Sequence, residues 1–202
     1  DKELGGVRLD AQIAEKGISS THVTGYVSPK LKGLDLLIRA DSTNLGFLQP
    51  FIEGIFSEIN GRVNGNVRLY GDFKHLDLEG EVRAKMDAKI DVLNTYFQIR
   101  DDSIHISSGS LDFRNVKVYD REGHDGLVNG YLHHTKLKNL MYHFNIRGNN
   151  LLMYNTYEAG NMPFYGKVYG TGNVVLDGGN NAMTVDASLT TGSNTSFTYI
   201  TG

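Results

Sequence analysis

Apolar residues alternate with polar ones along most of the chain, as in Val63, Val67 and Leu69, or Val82, Ala84, Met86, Ala88, Ile90 and Val92. A period of two predicts strands with one dry face and one wet face. The pattern returns at Ile104/Ile106, Leu111/Phe113, Val116/Val118, Tyr142/Phe144/Ile146, Val174/Leu176 and Met183/Val185/Ala187/Leu189, while Arg83, Lys85, Asp87 and Lys89 mark the wet side. Polar and glycine clusters punctuate these runs at Gly71-Asp72, Asp101-Asp102, 107–109, 120–123, 148–150 and 178–181, and read as turns in a long meander. One segment departs from this period. Leu45, Leu48, Phe51/Ile52 and Ile55/Phe56 recur at helical spacing behind possible cap oxygens from Asp41 to Asn44, which predicts a short amphipathic helix around Pro50. It serves either as a plug on an end or edge of the sheet or as a flap over an apolar surface.

The chain also repeats itself. Val23-Thr24-Gly25-Tyr26-Val27 and Leu36 to Ala40 match Val128-Asn129-Gly130-Tyr131-Leu132 and Phe144 to Gly148. Gly65 to Gly71 matches Gly172 to Gly178, and the pairs Gly61/Gly65 and Gly166/Gly170 precede or open these matched runs. The offsets cluster near 105 residues, giving two copies at roughly 18–110 and 123–202 within a single β domain over 1–202. Such a duplication suits a quasi-one-dimensional β architecture, and a sandwich of two similar halves as well.

Composition tilts that choice. Glycine is counted 24 times in 202 residues and proline only 3. Gly25, Gly61, Gly65, Gly80, Gly130 and Gly166 fall at strand positions, where glycine weakens a sheet unless the sheet bends or coils sharply. The fold expected is therefore all-β: a long, curved, coiled sheet enclosing a groove, with one short helix. With no cysteine there is no disulfide, thiolate metal site or cysteine nucleophile. A net charge of -3 provides no electrostatic footprint for nucleic acid. The abrupt ends at Asp1 and Gly202 read as those of a piece cut from a longer protein.

From about Ile59 to Ile200 the order of motifs resembles the C-terminal region of the TamB family, the translocation and assembly module proteins of diderm bacteria. The matching stretches are Ile59 to Gly71, Leu76 to Val82, Thr95 to Ile99, Asp120 to Gly123 running into Leu127 to His134, Asn150 to Asn155, Phe164 to Gly172, and Thr190-Thr191 with Thr195 to Phe197. The resemblance implies a "β-taco", an open curved sheet with an apolar inner groove, as in the wider set of AsmA-like bridge proteins. It implies a periplasmic location within a parent anchored in the inner membrane, and a role in outer-membrane protein assembly or in moving phospholipid between the membranes. It carries no catalytic motif. An outer-membrane partner of the parent would be met through residues outside this chain.

The candidate groove lining is the dry face: Val63, Val67, Leu69, Val82, Ala84, Met86, Ala88, Ile90, Val92, Phe113, Leu132, Phe144, Ile146, Val168, Val174, Leu176, Met183, Val185, Ala187 and Leu189. The partner expected there is a phospholipid acyl chain, excluded from water at about 0.8 kcal/mol per CH₂. No catalytic residue, cofactor or metal is expected. Adjacent His133 and His134 point to opposite faces of a strand, and Asp120, Glu122 and Asp125 lack the pattern of a calcium loop. Gly170-Thr171-Gly172 has no helix after it, and Asp101-Asp102 and Asp72/Asp77 do not form a flanking carboxylate pair. Two other readings stand beside the groove. One is a carbohydrate-binding or adhesive domain using Tyr26, Tyr131, Tyr142, Tyr154, Tyr157, Tyr165 and Tyr169; the other is a β-solenoid enzyme acting on polysaccharides.

Overall fold

The computed structural model describes residues 5–15, 17, 19–49, 56–135, 138–158, 163–179 and 182–200, without the side chains of residues 19, 47, 48, 92 and 138. Twelve strands follow one another: β1 Val7–Glu15, β2 Ser19–Ser28, β3 Gly33–Asn44, β4 Phe56–Asp72, β5 His75–Ile90, β6 Thr95–Ser107, β7 Ser110–Tyr119, β8 Asp125–Thr135, β9 Lys138–Thr156, β10 Phe164–Gly179, β11 Ala182–Thr191 and β12 Ser196–Tyr199. Each of the first ten pairs antiparallel with the next, in strict chain order, and β12 returns to β10 beside β11. The sheet is open and curved, as the alternation and the glycines predict. Its accessible area is 12006 Å², against roughly 9,400 Å² for a compact monomer of this mass.

Curvature has a local cause at the glycines. Gly25 and Gly130, matched in the two sequence copies, have φ of +147° and +155° and lie directly opposite Leu36 and Phe144. A Cβ at either position would collide with a backbone carbonyl oxygen of the next strand, that of Asp35 or His143. Only glycine adopts this backbone region freely, so neighbouring strands approach on the concave side where a side chain is missing.

Some of the expected turns are not turns. Asp101-Asp102 lies inside β6 and 148–150 inside β9, each at a β-bulge where the ladder shifts and the strand continues. β3 and β7 carry similar bulges, between Ala40 and Thr43 and between Phe113 and Val116. Ser42, Asn115 and Asn150 sit at φ of 52–53° within three of these bulges. In each, the displaced N–H donates to a side chain on the adjoining strand: Asn64 Oδ1 at 2.8 Å, Asn129 Oδ1 at 2.9 Å and Thr171 Oγ1 at 2.9 Å. A short polar cluster therefore marks a crease as readily as a reversal.

Only the start of the expected helix lies within the described residues. Leu45–Leu48 forms a 3₁₀ turn with Asn44 Oδ1 accepting from Gly46 N–H at 2.7 Å, and Leu45 is buried in the core. Pro50, Phe51, Ile52 and Ile55 lie outside the described residues, and Phe56 begins β4 instead of ending a helix.

Candidate functional site: the inner face of the sheet

Directly opposed residues share a face of a sheet, so the register shows which dry faces join. One row crosses eleven strands: Ala11, Val23, Ile38, Val67, Gly80, Ile106, Leu111, Leu132, Tyr142, Gly178 and Met183. Its only polar atom on a side chain is the Tyr142 hydroxyl. Neighbouring rows run alongside it. Val63 faces Ala84, Leu69 faces Leu78, Phe144 and Val185 flank Leu176, and Ile146 and Ala187 flank Val174.

Most of the expected lining residues are thus brought onto one continuous surface, but they differ in what covers them. Val63, Val82, Ala84, Ala88, Ile90, Leu132, Phe144, Ile146, Val174 and Leu176 are buried in a single cluster, with Val67, Met86, Phe113, Met183 and Leu189 packed against it. Ala84 is 0% exposed and Val174 and Leu176 are each 2% exposed, so the middle of the trough is filled by its own side chains. Leu69 and Val168 are half-buried, and Ala187 is exposed. Val185 is 43% exposed, and at the opposite side of the sheet Val7 and Ile13 reach 66% and 65%. The side chain of Val92 lies outside the described residues.

Several core residues were not singled out from the sequence. Leu151, Leu152 and Met153 are three consecutive buried residues at the end of β9, where a register shift against β10 breaks the alternation that flags a dry face. Leu93, Phe97 and Ile99 also belong to the cluster. Asn94, in the left-handed region at φ 48°, donates from Nδ2 to Asn155 O at 2.5 Å. That bond ties the start of β6 to the end of β9, across the coil of the sheet.

A buried carboxylate braces the same end. Asp120, 1% exposed, follows β7 and accepts from Glu122 N–H at 2.8 Å, His124 N–H at 2.9 Å, Leu152 N–H at 2.9 Å and the His124 ring at 2.8 Å. Burial pushes its pKa up, but these donors together outweigh burial and hold it below the usual carboxylate range. Glu122 in the same turn binds Lys167 Nζ at 2.5 Å and the Tyr169 hydroxyl at 2.8 Å, and its pKa is lowered by these two partners in that order. The turn expected around Gly123 is therefore a brace between β7, β9 and β10. An aspartate at the start of a turn is the signal that marks it in the sequence.

At the opposite strand ends, His75, Leu76, Asp77, Ser108, Gly109, His134 and Thr135 line a shallow pocket of about 250 Å³. Ser108 donates to the Asp77 carboxylate, which also accepts from Gly109 N–H at 2.9 Å. The serine hydroxyl is thus committed to a carboxylate, not to a histidine base. Burial lowers the pKa of His134, with Asp77 opposing that shift and His133 adding to it. His133 itself stacks on Tyr131 at 4.0 Å. Among the described residues no group of three or more His, Asp or Glu is placed to hold a metal ion. Of the seven tyrosines considered for a sugar-binding platform, Tyr142 and Tyr169 are buried, Tyr154 and Tyr165 are half-buried, and Tyr26, Tyr131 and Tyr157 are exposed on different strands or loops.

The outer face is a lattice of exposed charge. Arg68 on β4 pairs with both oxygens of Asp35 on β3, at 2.8 and 2.7 Å, and with Glu79 on β5 at 2.9 Å. Arg83 on β5 grips the Asp101 carboxylate at the β6 bulge, at 3.0 and 2.8 Å. Such pairs keep one face wet while the other stays dry. The site is accordingly a one-sided apolar surface on an open β-sheet. No family model matches the chain, and neither a curated protein nor a solved structure matches it.

Proposed function

We propose that this chain is a non-enzymatic module of envelope biogenesis whose inner face carries phospholipid acyl chains through the periplasm, as part of a parent anchored in the inner membrane. Assistance to outer-membrane protein assembly is the companion role that the resemblance implies. The observation carrying the proposal is the row from Ala11 to Met183, which crosses eleven strands without a charged side chain. At about 4.8 Å per strand the row spans on the order of 50 Å. Burial of a chain on such a surface yields about 0.8 kcal/mol per CH₂ without specific polar recognition.

The exposed apolar side chains of Val7, Ile13 and Val185 give an acyl chain its first contact, at the two sides of the sheet. Deeper seating requires the filled middle to yield, and Met86 and Met183 beside the cluster are its most adaptable members. The test is native mass spectrometry of the purified protein together with uptake of labelled phospholipid from vesicles. Val67→Glu on the inner face is expected to abolish bound lipid, whereas Asn66→Glu on the outer face is not. Retention of lipid by Val67→Glu, or its absence from the unmodified protein, overturns the proposal.

A further inference from the structure

The joint between β6 and β7 is built unlike its neighbours. Ladder pairs join Gln98 to Tyr119, stop, and resume only at His105 with Asp112, followed by Ile106 with Leu111 and Ser107 with Ser110. The register is the same on both sides of the gap, so the strands have not slipped. Both bulge at this level, Arg100-Asp101 toward β5 and Arg114-Asn115 toward β8. The contacts bridging the gap are made by side chains. Lys117 N–H donates to Asp102 Oδ2 at 2.8 Å, where a strand carbonyl would otherwise stand, and the Arg100 guanidinium lies 3.7 Å from the centre of the Tyr119 ring. Directly beneath are Ile99, Ile104, Val116 and Val118, all buried in the inner cluster.

We propose that this seam is the lateral portal through which a single acyl chain reaches the filled middle of the inner face, an inference that rests on the lipid-carrying reading above. The middle has to open somewhere to take a chain. Parting β4 from β5 would break an almost continuous ladder of backbone pairs, each costly to leave unmade. Parting β6 from β7 breaks no ladder pair between Gln98 and His105, and a single pair, Gln98 with Tyr119, holds one margin. The polar groups needed at the rim are already supplied by Asp102 and Arg100.

The chain contains no cysteine, so an introduced pair is the only disulfide it can form. Gln98→Cys with Tyr119→Cys closes the weak margin, and Asn66→Cys with Glu81→Cys closes a paired position on β4 and β5 as the control. Uptake of pyrene-labelled phosphatidylcholine from vesicles is expected to slow by about tenfold or more in the oxidised seam variant, to recover on reduction, and to change by less than about twofold in the oxidised control. Amide exchange supplies a readout independent of lipid: residues 99–104 and 113–118 exchange faster than β4 and β5, and the seam disulfide suppresses that exchange. Unchanged uptake in the oxidised seam variant, or equal slowing in the control, overturns the portal and leaves the lipid reading standing. If the reduced protein takes up no lipid while its seam still opens by exchange, the lipid reading fails and the portal falls with it.

Discussion

The middle of the sheet, from β4 to β10, and its flanks, β1 to β3 with β11 and β12, obey the same alternation and differ in outcome. In the middle, inner-face residues such as Ala84, Ile146 and Val174 are almost fully buried by side chains from other strands. On the flanks the same kind of residue, Val7, Ile13 or Val185, stands largely exposed. Alternation therefore makes a dry face possible, but only coiling makes it dry. Where the sheet curls onto itself the face becomes a core, and where it opens out the face remains available to a partner.

The largest contrast is expected from charge. Ile146→Asp should remove about 4 kcal/mol or more of stability, since an unpaired carboxylate would replace a fully packed side chain, whereas Ile13→Asp should cost about 0.5 kcal/mol or less. Urea unfolding of the two variants measures the difference, and equal losses would mean that the flanks are as tightly covered as the middle.

Glycine sharpens the comparison, because Gly25 and Gly130 share one backbone geometry in the two settings. Gly130→Ala is expected to cost about 2–3 kcal/mol through the collision with His143. Gly25→Ala meets the same obstacle at Asp35 but should cost less, because β1 and β2 can loosen without breaching the core. Thermal unfolding decides this, and a larger effect at Gly25 would reverse the ranking of the two regions.

Asp120 gives the middle a pH dependence. Its folded pKa lies below the ordinary value of about 3.9, so its contribution is complete above that value and is lost as pH falls through the folded pKa. Asp120→Asn should lower stability at neutral pH by about 1–3 kcal/mol and flatten the acid limb of the stability profile. At the flank, the exposed His22–Asp10 contact of 2.7 Å should matter least, with His22→Ala changing stability by about 0.5 kcal/mol or less in urea unfolding.

Strand existence and facing were legible in the sequence because both follow from a period of two, which needs no knowledge of the partner strand. Lining residues on β4, β5, β10 and β11 fall on one face for that reason. The bulges were harder to read: Asp101-Asp102 and 148–150 carry turn chemistry, and whether such a cluster reverses the chain or creases it depends on a neighbour able to capture the displaced N–H. Thr171 does this for Asn150. The burial of Leu151 to Met153 was not legible because a register shift places consecutive residues in the core, which no periodic pattern marks.

By itself, the sequence determined an all-β chain, the side of each strand that would be dry, and the glycine positions at which the sheet would have to curl. Those are local properties, set by side-chain alternation and by the backbone freedom of single residues. Only the tertiary structure decided that the curl fills the middle and leaves the flanks open, that Asp120 braces β7 against β9, and that the strands part between β6 and β7. Each of these depends on residues brought together from distant parts of the chain, where packing and register select among arrangements that the local pattern allows equally.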